Sequence, residues 1–356
     1  MRVRVLAGVA LLTTLTLAAG PATAAAPTAS GHAPSADAGL RAFADRAGLR
    51  VGTAVDMAAL AGDPAYRTAV AHEFSTVTAE NVMKWESTEP QRGVHDWAAA
   101  DRLVDFARAH RQLVRGHTLV WHNQNPAWVN EQDLTPAQLR AALRRHIVDE
   151  VSHFRGRVWH WDVVNEIFND DGTWRDTIWL RNLGPGYVAD AFRWAHQADP
   201  RATLFLNDYN NEGLNAKTDA YYALVKQLRA AGVPVQGYGV QGHLAVQYGV
   251  PGDVLTNLRR FEQLGLRTAF TEVDVRMPLP ADPIKVQAQA QGFTTLLQAC
   301  LLADRCVSYT LWGFTDRYSW VPGVFDGEGS ATPFDENLAP KPAYAALRDT
   351  LALAGR

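Results

Sequence analysis

The chain has 356 residues, 47% hydrophobic and 20% charged, and a net charge of −3. That is the composition of a globular domain with a sizeable core. A mildly acidic balance with no long basic run argues against a nucleic-acid partner or an anionic membrane surface.

The N-terminus begins with the basic Met1-Arg2-Val3-Arg4, followed by residues 5–19, which are apolar or small. Ala22-Thr23-Ala24 has the form of a cleavage site, so residues 1–25 read as a secretory signal peptide. The apolar run is short for a membrane span and no stop-transfer pattern follows it, so no membrane partner is expected. The mature protein is expected to be soluble, secreted and extracellular. Losing Arg2 and Arg4, and no acid, moves the net charge from −3 to −5. Residues 26–38, rich in Ala, Pro and Ser, lack large apolar side chains and read as a flexible tail. Residues 39–356 remain, within the length of one (β/α)₈ barrel.

Eight apolar runs read as strands, at 51–56, 75–80, 113–121, 158–166, 203–209, 237–244, 268–275 and 307–314. Helical patterns include 97–111, 135–154, 216–231, 253–264, 283–301 and 342–354. Thr135-Pro136 has the form of an N-cap followed by proline at the first helical position. Strands alternating with helices predict parallel βαβ units. Eight such units predict an α/β fold closed into a (β/α)₈ TIM barrel, as one catalytic domain.

The fourth strand, with Trp159-His160-Trp161-Asp162-Val163-Val164-Asn165, delivers Glu166 just before the turn-forming Asn169-Asp170-Asp171-Gly172. The seventh, Thr268-Ala269-Phe270-Thr271, carries Glu272 near its expected exit. In this fold the chemistry is done at the C-terminal ends of the strands. The two carboxylates are 106 residues apart, close to three βα units, which sets them across the barrel mouth. Glycoside hydrolysis needs such a pair: one group protonates the leaving oxygen and the other attacks the sugar or activates water.

Other polar and aromatic groups gather at the same strand ends. They include Glu80-Asn81 with Lys84, His117, Trp121, Gln124, Asn207, Tyr209, Gln241, His243, Trp312 and Trp320. Amides, imidazoles and indoles on one face suit a carbohydrate cleft, where rings stack on sugars and amides bond hydroxyls. The run Gly237-Tyr238-Gly239-Val240-Gln241-Gly242 fits a dinucleotide fingerprint only in spelling, because no helix opens after it. No H-E-x-x-H, zinc-spaced cysteine pair or G-x-S-x-G is present, so no metal and no cofactor are expected. The two cysteines, Cys300 and Cys306, are expected to pair in an exported chain; the alternative is two buried thiols.

Taken in order, several motifs are similar to those of one family. They are Glu80-Asn81-x-Met83-Lys84, Arg115-Gly116-His117-Thr118-Leu119-Val120-Trp121-His122, Trp161-Asp162-Val163-Val164-Asn165-Glu166, Gln241-Gly242-His243, Thr271-Glu272-Val273-Asp274, Trp312-Gly313-Phe314 and Ser319-Trp320. From about Leu40 to Ala354 the chain resembles the family 10 glycoside hydrolases, the endo-β-1,4-xylanases with a (β/α)₈ barrel. The resemblance implies a retaining enzyme acting on xylan and xylo-oligosaccharides. Glu166 would be the general acid/base and Glu272 the nucleophile. Asn165 would bond a sugar 2-hydroxyl and the nucleophile, and His243, supported by Asp274, would hold Glu272. Glu80, Asn81, Lys84, His117, Trp121, Gln124, Trp312 and Trp320 would bind sugars on the non-reducing side of the cut. Tyr209 and Gln241 would line the cleft near it. A monomer is expected.

The chemistry is consistent with those roles. The acid must hold its proton at working pH, which a nearby negative charge favours. Once Glu272 is esterified that charge is gone, and Glu166 can ionise and act as base on water. Val82 and Val321 depart from the family pattern, and the glycine-rich loop 322–337 leaves rim contacts open. A non-catalytic sugar-binding barrel and another retaining β-glycanase, such as a cellulase, are the alternatives. The first usually lacks one carboxylate, and both are present here.

Overall fold

The structure, a computed structural model, describes residues 38–131 and 134–355. The expected signal peptide and residues 26–37 of the expected tail lie outside them. Eight parallel strands form the barrel wall: β1 (Arg50–Val55), β2 (Thr76–Ala79), β3 (Leu113–Gly116), β4 (Val158–Asn165), β5 (Thr203–Asp208), β6 (Gly237–Val240), β8 (Arg267–Pro278) and β9 (Cys306–Leu311). Each pairs with the next around the ring, and β9 pairs with β1 to close it. Two short strands, β7 (His243–Ala245) and β10 (Glu328–Gly329), pair with the upper part of β8, the first parallel and the second antiparallel. The fold is the expected TIM barrel.

The strands form where β-branched and aromatic residues run between turns, and their burial is nearly continuous, as two covered faces require. Helices pack outside. On Pro136–His153 the stripe Leu139, Leu143, Ile147 and Val151 is buried, with the four-residue spacing that puts side chains on one helix face. That helix starts at a capping box: the Gln138 amide donates to Thr135 Oγ1 at 3.3 Å and the Thr135 amide to Gln138 Oε1 at 2.9 Å. Tyr187–Ala198 turns Val188, Ala191, Phe192 and Ala195 inward in the same way.

Three strands differ from the sequence reading where they matter most. β3 ends at Gly116 instead of running to 121. Beyond it the chain still follows β4, with the Leu119 and Val120 amides donating to the Asp162 and Val163 carbonyls at 3.0 and 3.1 Å. The sixth run breaks after Val240 and resumes as β7; Gly242 (φ 78°) makes the break, in a conformation that strains any residue with a Cβ. β8 runs on to Pro278, because β7 and β10 pair with its upper half, so Glu272 lies mid-strand.

Register sets the level of the site. Asn165 lies beside Asn207, and Asn207 beside Gly239. A Cβ on Gly239 would stand 2.4 Å from Asn207 Oδ1, so only glycine lets that amide cross the barrel mouth. At the far end of the barrel wall, Cys300 and Cys306 are joined as a disulfide with Cα atoms 5.3 Å apart. It ties the last turn of helix Pro283–Leu302 to the start of β9.

Candidate active site

At the C-terminal ends of the strands lies a cleft of about 990 Å³. Its lining includes Glu80, Asn81, Lys84, His117, Trp121, Gln124, Asn165, Glu166, Tyr209, Gln241, His243, Glu272, Trp312 and Trp320. Every residue singled out for sugar or catalysis is there except Asn207 and Asp274, which are buried beneath it.

Glu166 is the first residue past β4, and its φ of 59° is left-handed. That conformation costs a non-glycine residue on the order of 1 kcal/mol and persists where the surroundings fix both ends. Here the Glu166 amide donates to the Asn207 carbonyl at 2.9 Å and its own carbonyl accepts Arg175 Nε at 2.9 Å. The turn aims the carboxylate into the cleft. There Trp121 Nε1 donates to Oε2 at 2.8 Å, and Gln241 and Asn165 amides donate to Oε1 at 3.1 and 3.2 Å.

Glu272 is held by a different set. Asn207 Nδ2 donates to Oε1 at 2.7 Å and Arg115 Nη2 at 3.2 Å, while His243 Nε2 stands 3.3 Å from Oε2. His243 Nδ1 is 3.0 Å from Asp274 Oδ2, which also accepts Trp320 Nε1 at 2.7 Å. Burial alone would lower His243, but Asp274 and then Glu272 outweigh it and push the imidazole up to about 10. As an imidazolium it donates from both nitrogens. Burial alone would raise Glu272; His117, the His243 hydrogen bond and the Arg115 guanidinium outweigh it and hold the carboxyl at about 2. Glu272 is therefore ionised at any pH well above 2.

Beneath this level, Arg115 also bonds Asp162 and donates to the Thr271 carbonyl at 2.7 Å. His117 Nδ1 lies 2.8 Å from Asp162 Oδ2, and His160 Nε2 3.2 Å from Asp162 Oδ1. Burial would raise Asp162, yet Arg115 and the two imidazoles hold it well below the usual carboxylate range. Burial pushes His160 down to about 4, so it donates as a neutral ring. His117, Asp162 and Glu272 bring three potential metal-ligand atoms within 4.8 Å of one another, but Arg115 already bridges both carboxylates.

One expected contact is corrected. Among the described residues Asn165 makes no hydrogen bond to Glu272; the amide there is Asn207's. Asn207 Nδ2 also donates to Asn165 Oδ1 at 2.9 Å. Two side-chain amides thus link the carboxylates, Glu272 to Asn207 to Asn165 to Glu166. Sequence reasoning placed Asn207 only among the polar groups of the cleft and assigned no role to Arg115, Asp162 or Arg175. An arginine between Val114 and Gly116 in an apolar strand was the available signal, since a buried guanidinium needs a partner.

At the other end, Lys84 Nζ donates to Gln124 Oε1 at 2.6 Å and Asn81 Oδ1 at 3.0 Å, and lies 5.0 Å from the Trp121 ring centroid. Gln124 Nε2 donates to Glu86 Oε1 at 2.9 Å. Burial and then Asp56 push Glu80 up to about 7, against Lys84. Past the carboxylates, Tyr209 is fixed by Arg175 Nη2, 2.7 Å from its hydroxyl, and by Lys217 Nζ, 3.9 Å from its ring centroid. This row of fixed planar rings, amides and charges can grip a chain of polyols on both sides of a bond facing two carboxylates.

Comparison with known proteins agrees with this geometry. The profile of glycosyl hydrolase family 10 matches residues 39–350. The chain is 44% identical over 313 residues to an endo-1,4-beta-xylanase of Agaricus bisporus, covering 87% of this chain and 93% of that one. It is 41% identical over 320 residues to endo-1,4-beta-xylanase B of Thermotoga neapolitana, covering 89% and 92%. Xylanase 10B of Thermotoga petrophila, solved in complex with xylobiose, superposes with a TM-score of 0.87 at 40% identity, covering 89% of this chain and 98% of that one. Native xylanase 10B of Thermotoga maritima superposes with a TM-score of 0.86 at 41% identity, covering 88% and 98%. With the match spanning the barrel from Gly39 to Thr350, the chain belongs to glycosyl hydrolase family 10.

Proposed function

We propose that the protein is an endo-1,4-β-xylanase that cuts internal bonds of xylan by a retaining double displacement. The observation that carries the reading is the unequal grip on two linked carboxylates. Glu272 is bound by Asn207, Arg115 and His243 and stays ionised, as a nucleophile must. Glu166 sits on neutral donors, Trp121, Gln241 and Asn165. In the first step Glu272 bonds to the anomeric carbon and the glycosidic bond breaks, while the Glu166 proton goes to the leaving oxygen. In the second, Glu166 takes a proton from water, the water oxygen bonds to the anomeric carbon, and Glu272 leaves as carboxylate.

The names of the relatives support xylan as substrate, and the open cleft suits attack within a chain. On this reading Glu80, Asn81, Lys84, His117, Trp121, Gln124, Trp312 and Trp320 bind the sugars before the cut, and Tyr209 and Gln241 the region at it. We also read residues 1–25 as an export signal and the working form as a monomer outside the cell. Release of reducing ends from xylan, with little from carboxymethylcellulose, is the expected result; the reverse preference would overturn the substrate assignment.

A further inference from the structure

Tyr248 is 81% exposed, yet it lines the catalytic cleft. It sits on the turn between β7 and helix Val254–Gln263, following β6, which pairs with the strand that leads into Tyr209, whereas Asn81 and Gln124 follow β2 and β3. A single exposed ring is ordinary on a surface, and what sets Tyr248 apart is its place in the wall of the cleft. This one is held out on a fixed loop. The Val246 amide donates to the Arg276 carbonyl and the Tyr248 amide to the Ala245 carbonyl, both at 3.0 Å. Gln247 Nε2 donates to Glu328 Oε1 at 2.8 Å, and Arg276 pairs with Glu328 at 2.7 Å. Gly249 (φ 70°) turns the chain back directly after the ring, and Asp253 takes the Leu214 amide at 3.2 Å. Its chain neighbours Gly249, Val250 and Pro251 also line the cleft wall.

We propose that Tyr248 is a stacking platform for a xylose unit on the reducing-end side of the cut, beyond Tyr209, so that the cleft selects for longer chains. A pyranose offers an apolar face of axial C–H groups and an equatorial rim of hydroxyls, which matches a flat ring with one polar tip. A preformed platform adds binding without ordering a loop on each encounter. Because the ring is solvated and outside the core, its removal leaves packing intact.

The inference rests on the xylanase reading, and the test separates the two. Wild type, Tyr248→Ala and Tyr248→Phe are compared on reducing-end-labelled xylohexaose and on an aryl xylobioside, whose sugars stop at the cut. Tyr248→Ala is expected to lower the hexaose-to-xylobioside ratio of kcat/KM roughly three- to tenfold. Its cuts in the hexaose should move toward the label, giving shorter labelled products. Tyr248→Phe keeps the ring and should keep the wild-type ratio and pattern. A wild type that cleaves xylohexaose, with the Ala variant matching it in ratio and pattern, would overturn the platform. A wild type that cleaves neither substrate would overturn the reading beneath it.

Discussion

Glu272 is held by side chains drawn from three other strands, β3, β5 and β7, and removing any one should show in the chemistry before it shows in binding. Asn207→Ala deletes a donor 2.7 Å from Oε1. A loss of about 10²–10³ in kcat, with KM little changed, is expected by analogy with deleting one donor to a reacting oxygen. Glu166→Ala should nearly abolish xylan hydrolysis, where the leaving alcohol needs a proton. On an aryl xylobioside with an acidic phenol, the first step needs little acid, and azide, a nucleophile that needs no base, should restore turnover by bonding to the anomeric carbon as Glu272 leaves, giving a glycosyl azide. No rescue in a folded variant would count against Glu166 as acid/base.

The same cluster predicts a pH signature in stability. Glu272 falls from 4.5 to about 2 in the folded protein, so its contribution is present above pH 4.5 and is lost as pH drops through about 2. His243 rises from 6.5 to about 10, so its contribution is full below pH 6.5 and is lost as pH climbs through about 10. The loss of Tm in His243→Ala should be largest between about pH 4.5 and 6.5 and shrink toward pH 10; a loss that grows with alkalinity would refute the assigned shift. Glu166, Glu272 and His243 were legible in the sequence because each sits in a motif near the expected end of an apolar run. The contacts of Arg115 and Asn207 to Glu272 were not, because these residues lie 157 and 65 positions from it, and only folding shows which side chain reaches which carboxylate.

Among the elements, the strands were legible as β-branched runs between turns, and the barrel followed from their number. What the pattern could not show is where the chain leaves the sheet. Leu119 and Val120 read as strand and keep hydrogen bonds to β4, yet lie outside β3. The break at Gly242 is fixed by backbone conformation, which hydropathy does not report. Gly242→Ala would hold a Cβ 3.1 Å from Val273 Cγ2 at a positive φ. It should cost on the order of 1–2 kcal/mol and displace His243, read as a lowered Tm with a drop in kcat. The disulfide is an element-scale device as well. Replacing both Cys300 and Cys306 by serine should cost about 2 kcal/mol, since the closed loop is short. Thiol titration of the unfolded, unreduced wild type should find no free thiol.

Over the whole molecule, the cleft joins a gripping end around Lys84 and Gln124 to an open end around Tyr209. Xylose differs from glucose by lacking a hydroxymethyl group, so preference must come from crowding that group out. Gln124 is pinned by Lys84 and Glu86, and Trp320 by Asp274, so neither yields readily. Such crowding is worth ~1–3 kcal/mol per position. Gln124→Ala and Trp320→Phe should each raise the cellobioside-to-xylobioside ratio of kcat/KM, and the double variant should raise it further. An unchanged ratio in all three would move the discrimination to Glu80, Asn81 and Lys84.

The double displacement rests on Glu272 forming a bond to the sugar, and the stereochemistry of the first product reads that step directly. Proton NMR of fresh xylo-oligosaccharide digests, recorded before mutarotation, should show the β-anomer first. An initial α-product would mean that water attacks in a single displacement, and would contradict the account.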